Sequence, residues 1–525
     1  MKIKFSQKIL ATILALSVSA VAFSASVLAA QAKKEAPAQI LFKNVNIFDG
    51  KSNELKNGQN VLIEGNTIKD IGKDVKGSTG VTVIDGAGRT LMPGLIDNHV
   101  HLTLNGKSLL DIEANKTWED LAIGSVAMAK MYLEEGFTTV RDMGGTNGGL
   151  NNAIKSGLIE GPRVYSSGAF IGGRGGHADF ATFSSRQGGD TNMSRLNLAQ
   201  ETNGADEVLA VARNNFRQGA SQLKIMQTGG VASLFDPWQL NGMTVDEIKA
   251  AVQIADDYQS YVAAHSYTKK AMLRALDLGV KTIEHGFMFD KDISKKMKKK
   301  GAYLTTNLTA FSPLLADIPA LNDPKNQYKL KTATAAFGNY LDNVRKYKPK
   351  RGHQTDCVGD AIACRPQIAY EKYLNGDFFG NHAALVSMTS IGGEIAKLSG
   401  PVVNAYPETT LGVIKKGATA DILLVDGNPL KDLSVIGANP KWFDAAPRKG
   451  VKTIRVIMKD GKIYKNTLNQ NIADLPSPQS LTKQQALLNL ETFKANQLAF
   501  EKLSGCKGGL TDEKLHAVHQ IAKLH

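Results

Sequence analysis

From residue 93 to about residue 400, short apolar runs alternate with longer stretches whose apolar positions recur at helical spacing. Short runs bounded by Gly or Pro read as buried strands, and longer ones with a single apolar face read as helices. Candidate strands fall at 95–102, 138–144, 163–168, 222–227, 261–266, 282–286, 302–308 and 352–356. Helical patterns occupy most of the gaps, among them 118–135, 206–218, 245–258 and 330–347. Eight strand–helix units in series predict an α/β chain folded as a parallel (β/α)8 TIM barrel over residues 93–400. An open doubly wound sheet is the competing architecture, but no GxGxxG string follows the first strand.

The flanks read differently. Residues 40–92 and 401–466 carry short strand patterns cut by Gly and Asn turns, such as NVLIEGNTIKDIG and TIRVIMKDGKIY. They predict a small antiparallel β-sandwich assembled from both sides of the barrel. Residues 1–32 have the layout of a secretory signal peptide: Lys2, Lys4 and Lys8, an uncharged apolar stretch over 9–23, then small residues with cleavage expected after Ala29 or Ala32. No later stretch is long and apolar enough for a stable membrane span. The expectation is an exported protein, periplasmic in a Gram-negative cell. Residues 467–525 read as a polar loop followed by helices, with His516 and His519 incidental to any site.

Charge changes this picture little. The net charge of +14 stays strongly positive after the three leader lysines are removed, but much of the excess sits on solvated helix faces such as Lys295–Lys300. No aromatic-interleaved basic motif points to nucleic acid. Cysteines are few: Cys357 and Cys364 stand seven apart and can pair in an oxidising compartment, whereas Cys506 is the odd one out. A homo-oligomer is compatible with all of this.

The candidate chemistry lies at strand ends. LMPGLIDNHVHL, residues 91–102, ends in His99 and His101. Side chains alternate faces along a strand, so both imidazoles leave the same side and can hold one metal ion. Lys224 falls in the fourth strand, His265 near the end of the fifth, His285 in the sixth and Asp356 at the end of the eighth. Active sites of this barrel collect at the carboxyl ends of its strands, so these six residues are expected to converge.

The motifs LMPGLIDNHVHL, GFTTVRDMGG, QLKIMQTGGVAS, VAAHSYT, TIEHG, HQTD and KKGATADILLVDGNPL resemble those of the amidohydrolase superfamily, in its imidazolonepropionase-related and metal-dependent prolidase-like branch. The resemblance spans about residues 40–466. It implies His99, His101 and Asp356 on one divalent metal and His265 and His285 on a second, both expected to be zinc. It also implies Lys224 bridging them as an N6-carboxylated carbamate. The chemistry agrees, because an ammonium beside two divalent cations would be repelled. In the mechanism so implied, the metals activate water and Asp356 accepts and then delivers the proton.

Two residues are candidates for substrate binding. His177 lies in GGRGGHADF, where Ala178 replaces the more usual glycine, and Tyr267 follows His265 by two. Arg141 and Asp142 read as a supporting pair, and Gln354 stands where glycine is usual in GTD. The function expected is hydrolysis of a small amide, a dipeptide or N-acyl amino acid with a free C-terminal carboxylate. A deaminase or cyclic-amide hydrolase using the same centre is the alternative, and a non-enzymatic binding protein a more distant one.

Overall fold

The computed structural model describes residues 37–470, apart from 187–189, 232, 234–235, 313 and 316–323. The leader pattern at 1–32 and all but the first four residues of the 467–525 tail lie outside the described residues.

Seven of the eight expected strand segments hold a strand; at the eighth the strand is Arg351–Gly352, so only Gly352 of the expected 352–356 is in it and Asp356 lies in the irregular chain beyond. Leu95–Val100, Phe137–Asp142 and Arg163–Ser166 form a three-stranded parallel sheet. Leu223–Met226, Val262–Ser266, Thr282–His285, Tyr303–Thr305 and Arg351–Gly352 run side by side in a seven-stranded parallel sheet. Backbone hydrogen bonds connect the two sheets at both junctions. Asn98 donates to His353 O and Asp356 to His99 O, each at 2.9 Å, linking the eighth strand to the first. Ser221 donates to Ser166 O at 2.7 Å, linking the third to the fourth.

Two strands were not expected. Phe170–Gly173 and Ala199–Thr202 extend the larger sheet from within the long connection after the third strand. The glycines that hide Phe170–Gly173 from a propensity reading are required there. A Cβ on Gly173 would stand 2.3 Å from Gly242 O.

Helices cover the outside of the parallel strands. Thr117 and Thr244 close capping boxes with Asp120 and Glu247 at the starts of Trp118–Glu134 and Val245–Asp257. The helix expected from 330 begins earlier, at Pro324. Proline suits a first helical turn, where its missing N–H would have had no partner. Among the described residues no helix is long and apolar enough to cross a membrane.

Strands from both flanks share one eight-stranded sheet. Thr90–Pro93 lies between Gln39–Ile47 and Ile422–Val425, and Ile454–Lys459 and Lys462–Asn466 follow on. The sheet is mixed rather than wholly antiparallel. Gln39–Ile47 runs parallel to both Thr82–Asp85 and Thr90–Pro93 and antiparallel to Lys56–Glu64, which in turn pairs with Thr67–Gly72. Leu423, Val425, Ile454 and Ile457 of this sheet pack with Leu95, Met131 and Phe137 of the parallel unit. A buried charge cluster reinforces the contact: Glu135 accepts from Arg365 at 2.9 Å and from Arg448. Lys372 donates to the backbone oxygens of Glu135 and Ile436, each at 2.9 Å.

Candidate metal centre

The end of the first strand brings two imidazoles, His99 within it and His101 just beyond it, to a single carboxylate. His99 Nε2 lies 3.4 Å and His101 Nε2 3.3 Å from Asp356 Oδ1. Each ring is fixed from behind. His99 Nδ1 is 2.8 Å from Glu284 Oε2, and His101 Nδ1 is 3.2 Å from Gly144 O. Carboxylate and carbonyl oxygens only accept, so a neutral ring places its proton on Nδ1 and leaves Nε2 as a lone pair. Burial favours that neutral form at His99, whose pKa lies well below the usual value.

Asp356 is the most open member of the group. Its side chain is 20% exposed, whereas His99, His101 and His285 are at most 6% exposed. Its backbone is left-handed at φ 51°, and that of His285 at φ 68°. Such conformations cost on the order of 1–3 kcal/mol each in non-glycine residues and persist only where the surroundings impose them. Here Asp356 N–H is held by His99 O, and the preceding Thr355 binds Asp97 Oδ2 through its hydroxyl at 2.6 Å. Asp97 in turn accepts from the His99 N–H at 3.0 Å.

His285 Nδ1 lies 3.6 Å from Asp356 Oδ2. The potential ligand atoms of His99, His285 and Asp356 all fall within 4.8 Å of one another. Lys224 Nζ approaches His99 Nε2 to 3.4 Å, and burial pushes its amine down to about 8. His265 stands outside the compact group. Its ring centroid is 4.4 Å from that of His285, and its Nε2 is 3.1 Å from Gly229 O, which leaves Nδ1 without that proton.

Arg141 and Asp142 do not form a pair. Arg141 points inward and grips Glu284 with two bonds of 2.8 and 2.9 Å, besides contacts to Tyr261 and Thr282. Burial opposes ionisation of Glu284, yet the guanidinium holds its carboxyl well below the usual range. Asp142 instead accepts from Leu102 N, Thr146 Oγ1 and Gly144 N at 2.8, 2.7 and 3.1 Å. The two residues thus support the two strand-end histidines by separate routes. Glu284 is the residue that sequence reasoning missed. Strict alternation along TIEHG would send it away from His285, but the positive φ of His285 breaks the alternation and lets both face inward.

The other sequence candidates separate. His177 stacks on His265 with centroids 4.3 Å apart, and its Nδ1 is 3.4 Å from Asp236 Oδ2. Burial would raise Asp236, but His177, the Ser233 hydroxyl and the Gly230 N–H hold it down to about 2. Tyr267 is buried against His265 and Phe287, at 4.6 and 4.4 Å between centroids, and burial pushes its phenol up. Asp179 closes its own loop, accepting from Gly175 N and Ala181 N at 2.8 and 3.0 Å. Gln354 fills the space a glycine would leave, with Nε2 3.1 Å from both Asn307 Oδ1 and His285 Nδ1.

The donor set suits a divalent metal. Two imidazole lone pairs aimed at a carboxylate oxygen repel it unless a positive charge lies between them. Imidazole nitrogen and carboxylate oxygen are also the ligand types of zinc sites, with the far ring nitrogens hydrogen-bonded as such sites require.

The chain belongs to the amidohydrolase family, which its residues 90–346 match. It is a hydrolase acting on carbon–nitrogen bonds of the amide class. A crystal structure of an amidohydrolase is 32% identical, with a TM-score of 0.71 over 82% of this chain and all of that one. A prolidase solved in complex with N-methylphosphonate-L-proline is 30% identical, with a TM-score of 0.72 over the same shares. Ochratoxinase of Aspergillus niger is 25% identical over 390 residues, 71% of this chain and 75% of that protein.

Proposed function

We propose that this protein is an exported binuclear-metal amidohydrolase that cleaves a small amide, a dipeptide or N-acyl amino acid, whose C-terminal carboxylate is free. In this reading the two parallel sheets make one closed (β/α)8 barrel, with the site at the carboxyl ends of its strands. The single observation that carries it is the convergence of the His99 and His101 lone pairs on Asp356. The prolidase and ochratoxinase relatives support amide chemistry, and the leader pattern together with the buried Cys357–Cys364 disulfide supports export.

His99, His101 and Asp356 would hold one metal, His265 and His285 the other, and carboxylated Lys224 would bridge them. When bound, two such metals acidify water and polarise a carbonyl oxygen. Lys224 is suited to carbamate formation because burial favours its neutral amine. That nitrogen bonds to the carbon of CO2 and releases one proton to solvent. Asp356 accepts the proton of the attacking water and hands it to the leaving nitrogen. Glu284 and the Gly144 carbonyl keep the His99 and His101 protons on Nδ1, so each Nε2 lone pair is left free for a metal.

Elemental analysis of the active, unchelated protein is expected to give about two zinc ions per chain, with chelation abolishing turnover. One ion or none would reject the binuclear assignment.

The substrate carboxylate is assigned to His177 and Tyr267, both of which contact the His265 ring. Losing a charge-assisted hydrogen bond costs about 1.5–3 kcal/mol, or roughly 10–150-fold in kcat/KM. A cleaved dipeptide should therefore outperform its C-terminal amide by that factor. His177→Ala and Tyr267→Phe should each narrow the gap. Equal kcat/KM for acid and amide would put the cyclic-amide or deaminase reading ahead.

A further inference from the structure

Asp356 is held unevenly. On its N-terminal side, Thr355 and its own N–H are bonded into the first strand through Asp97 and His99 O. On its C-terminal side the next residue is Cys357, disulfide-bonded to Cys364. Cys364 lies in the first turn of the helix Ala361–Phe379, whose start is capped by Asp360 with bonds of 2.9 Å to the N–H groups of Ile362 and Ala363. Both sulfurs belong to buried residues, 1% and 0% exposed, packed with Val100, Leu102, Met128 and Ile368. The cross-link therefore joins the residue after Asp356 to a capped, buried helix end, and the Gly359 N–H bond to Leu104 O adds a backbone tie in that loop.

We propose that the Cys357–Cys364 disulfide is a positioning device for Asp356, which keeps the proton-carrying carboxylate in its left-handed backbone pose, so that full activity is reached only in the oxidised protein. A left-handed aspartate relaxes readily toward ordinary backbone once one flank is free. Freeing Cys357 would let the carboxylate reorient about its contacts with His99 and His101, while the substrate-binding residues, carried by the loops after other strands, stay in place. The proposal rests on the assignment of Asp356 as proton carrier.

The test uses the metal-loaded full chain. It is reduced with a phosphine, which takes up the bond's oxidising equivalents and leaves two thiols. In parallel, the Cys357→Ala/Cys364→Ala variant is prepared. In both, kcat should fall at least tenfold with KM changed by less than about threefold and the metal content retained. Re-oxidation should restore the reduced wild type but not the variant. An unchanged kcat with both thiols titratable would overturn the proposal. A loss that simply follows metal release, a rise in KM or unfolding would overturn it as well. If the variant fails to fold, reduction of the folded wild type still decides. Asp356→Asn, assayed alongside, separates the two claims: near-normal turnover there removes the proton carrier itself, whereas impaired turnover with a fully active reduced enzyme removes only the disulfide's role.

Discussion

Asp356→Asn is expected to lower kcat by roughly 10²–10⁴-fold, the range for loss of a general acid–base group. The substitution is close to isosteric and keeps one oxygen for a metal. Asparagine also tolerates left-handed backbone better than most residues, so the φ of 51° at this position adds little new strain. What it loses is the ability to take a proton from water and return it to the leaving nitrogen. Its amide would also point N–H groups where the His99 and His101 lone pairs now meet an acceptor. Steady-state kinetics across pH, paired with metal analysis of the variant, make the check. A near-normal kcat at every pH would remove Asp356 as the proton carrier.

Glu284→Gln is expected to cost stability as well as activity. Arg141 and Glu284 are buried at 2% and 0% exposure and share two short hydrogen bonds. Removing the carboxylate charge leaves a guanidinium buried without its counter-ion, which typically costs about 3–5 kcal/mol. His99 simultaneously loses the anionic acceptor at its Nδ1. Arg141→Met should be destabilising for the converse reason. The double variant Arg141→Met/Glu284→Gln should cost less than the sum of the singles, because neither charge is then stranded. Urea-unfolding midpoints of the four proteins test this. Additive losses, or a midpoint for Glu284→Gln equal to wild type, would show that the pair is not coupled.

Strand positions were legible because buried parallel strands are short apolar runs; the eighth was placed too late, since its strand is the polar pair Arg351–Gly352. The pairing of flanking strands across the central unit was legible from their common turn-rich composition. What escaped lay where local rules fail. Phe170–Gly173 is half glycine and shows no alternation, since close backbone approach rather than side-chain packing selects it. Glu284 was hidden by a single positive φ at the next residue. Arg141 and Asp142, adjacent in sequence, face different partners because neighbours in a strand point to opposite sides, so proximity along the chain misled. The left-handed backbone at Asp356, likewise, has no signature in HQTD. Asp356 sits between the hydrogen bond that ties its N–H to His99 O and the cross-link at Cys357, and neither can be read from that four-residue motif.

The mixed sheet has a consequence for biogenesis. Thr90 is hydrogen-bonded to Gly427, 337 positions later, and Gly94, just before the strand that carries His99, donates its N–H to Asp421 O. At synthesis rates of about 5–20 residues per second, Thr90–Pro93 waits on the order of tens of seconds for its partner to emerge. During that interval its open edge is a template for pairing with other chains. The nascent protein therefore depends on being held unfolded or shielded until the later strands arrive. A message or protease cut that ends the chain before residue 422 would yield an aggregating fragment rather than a smaller enzyme, even though every proposed ligand is already present.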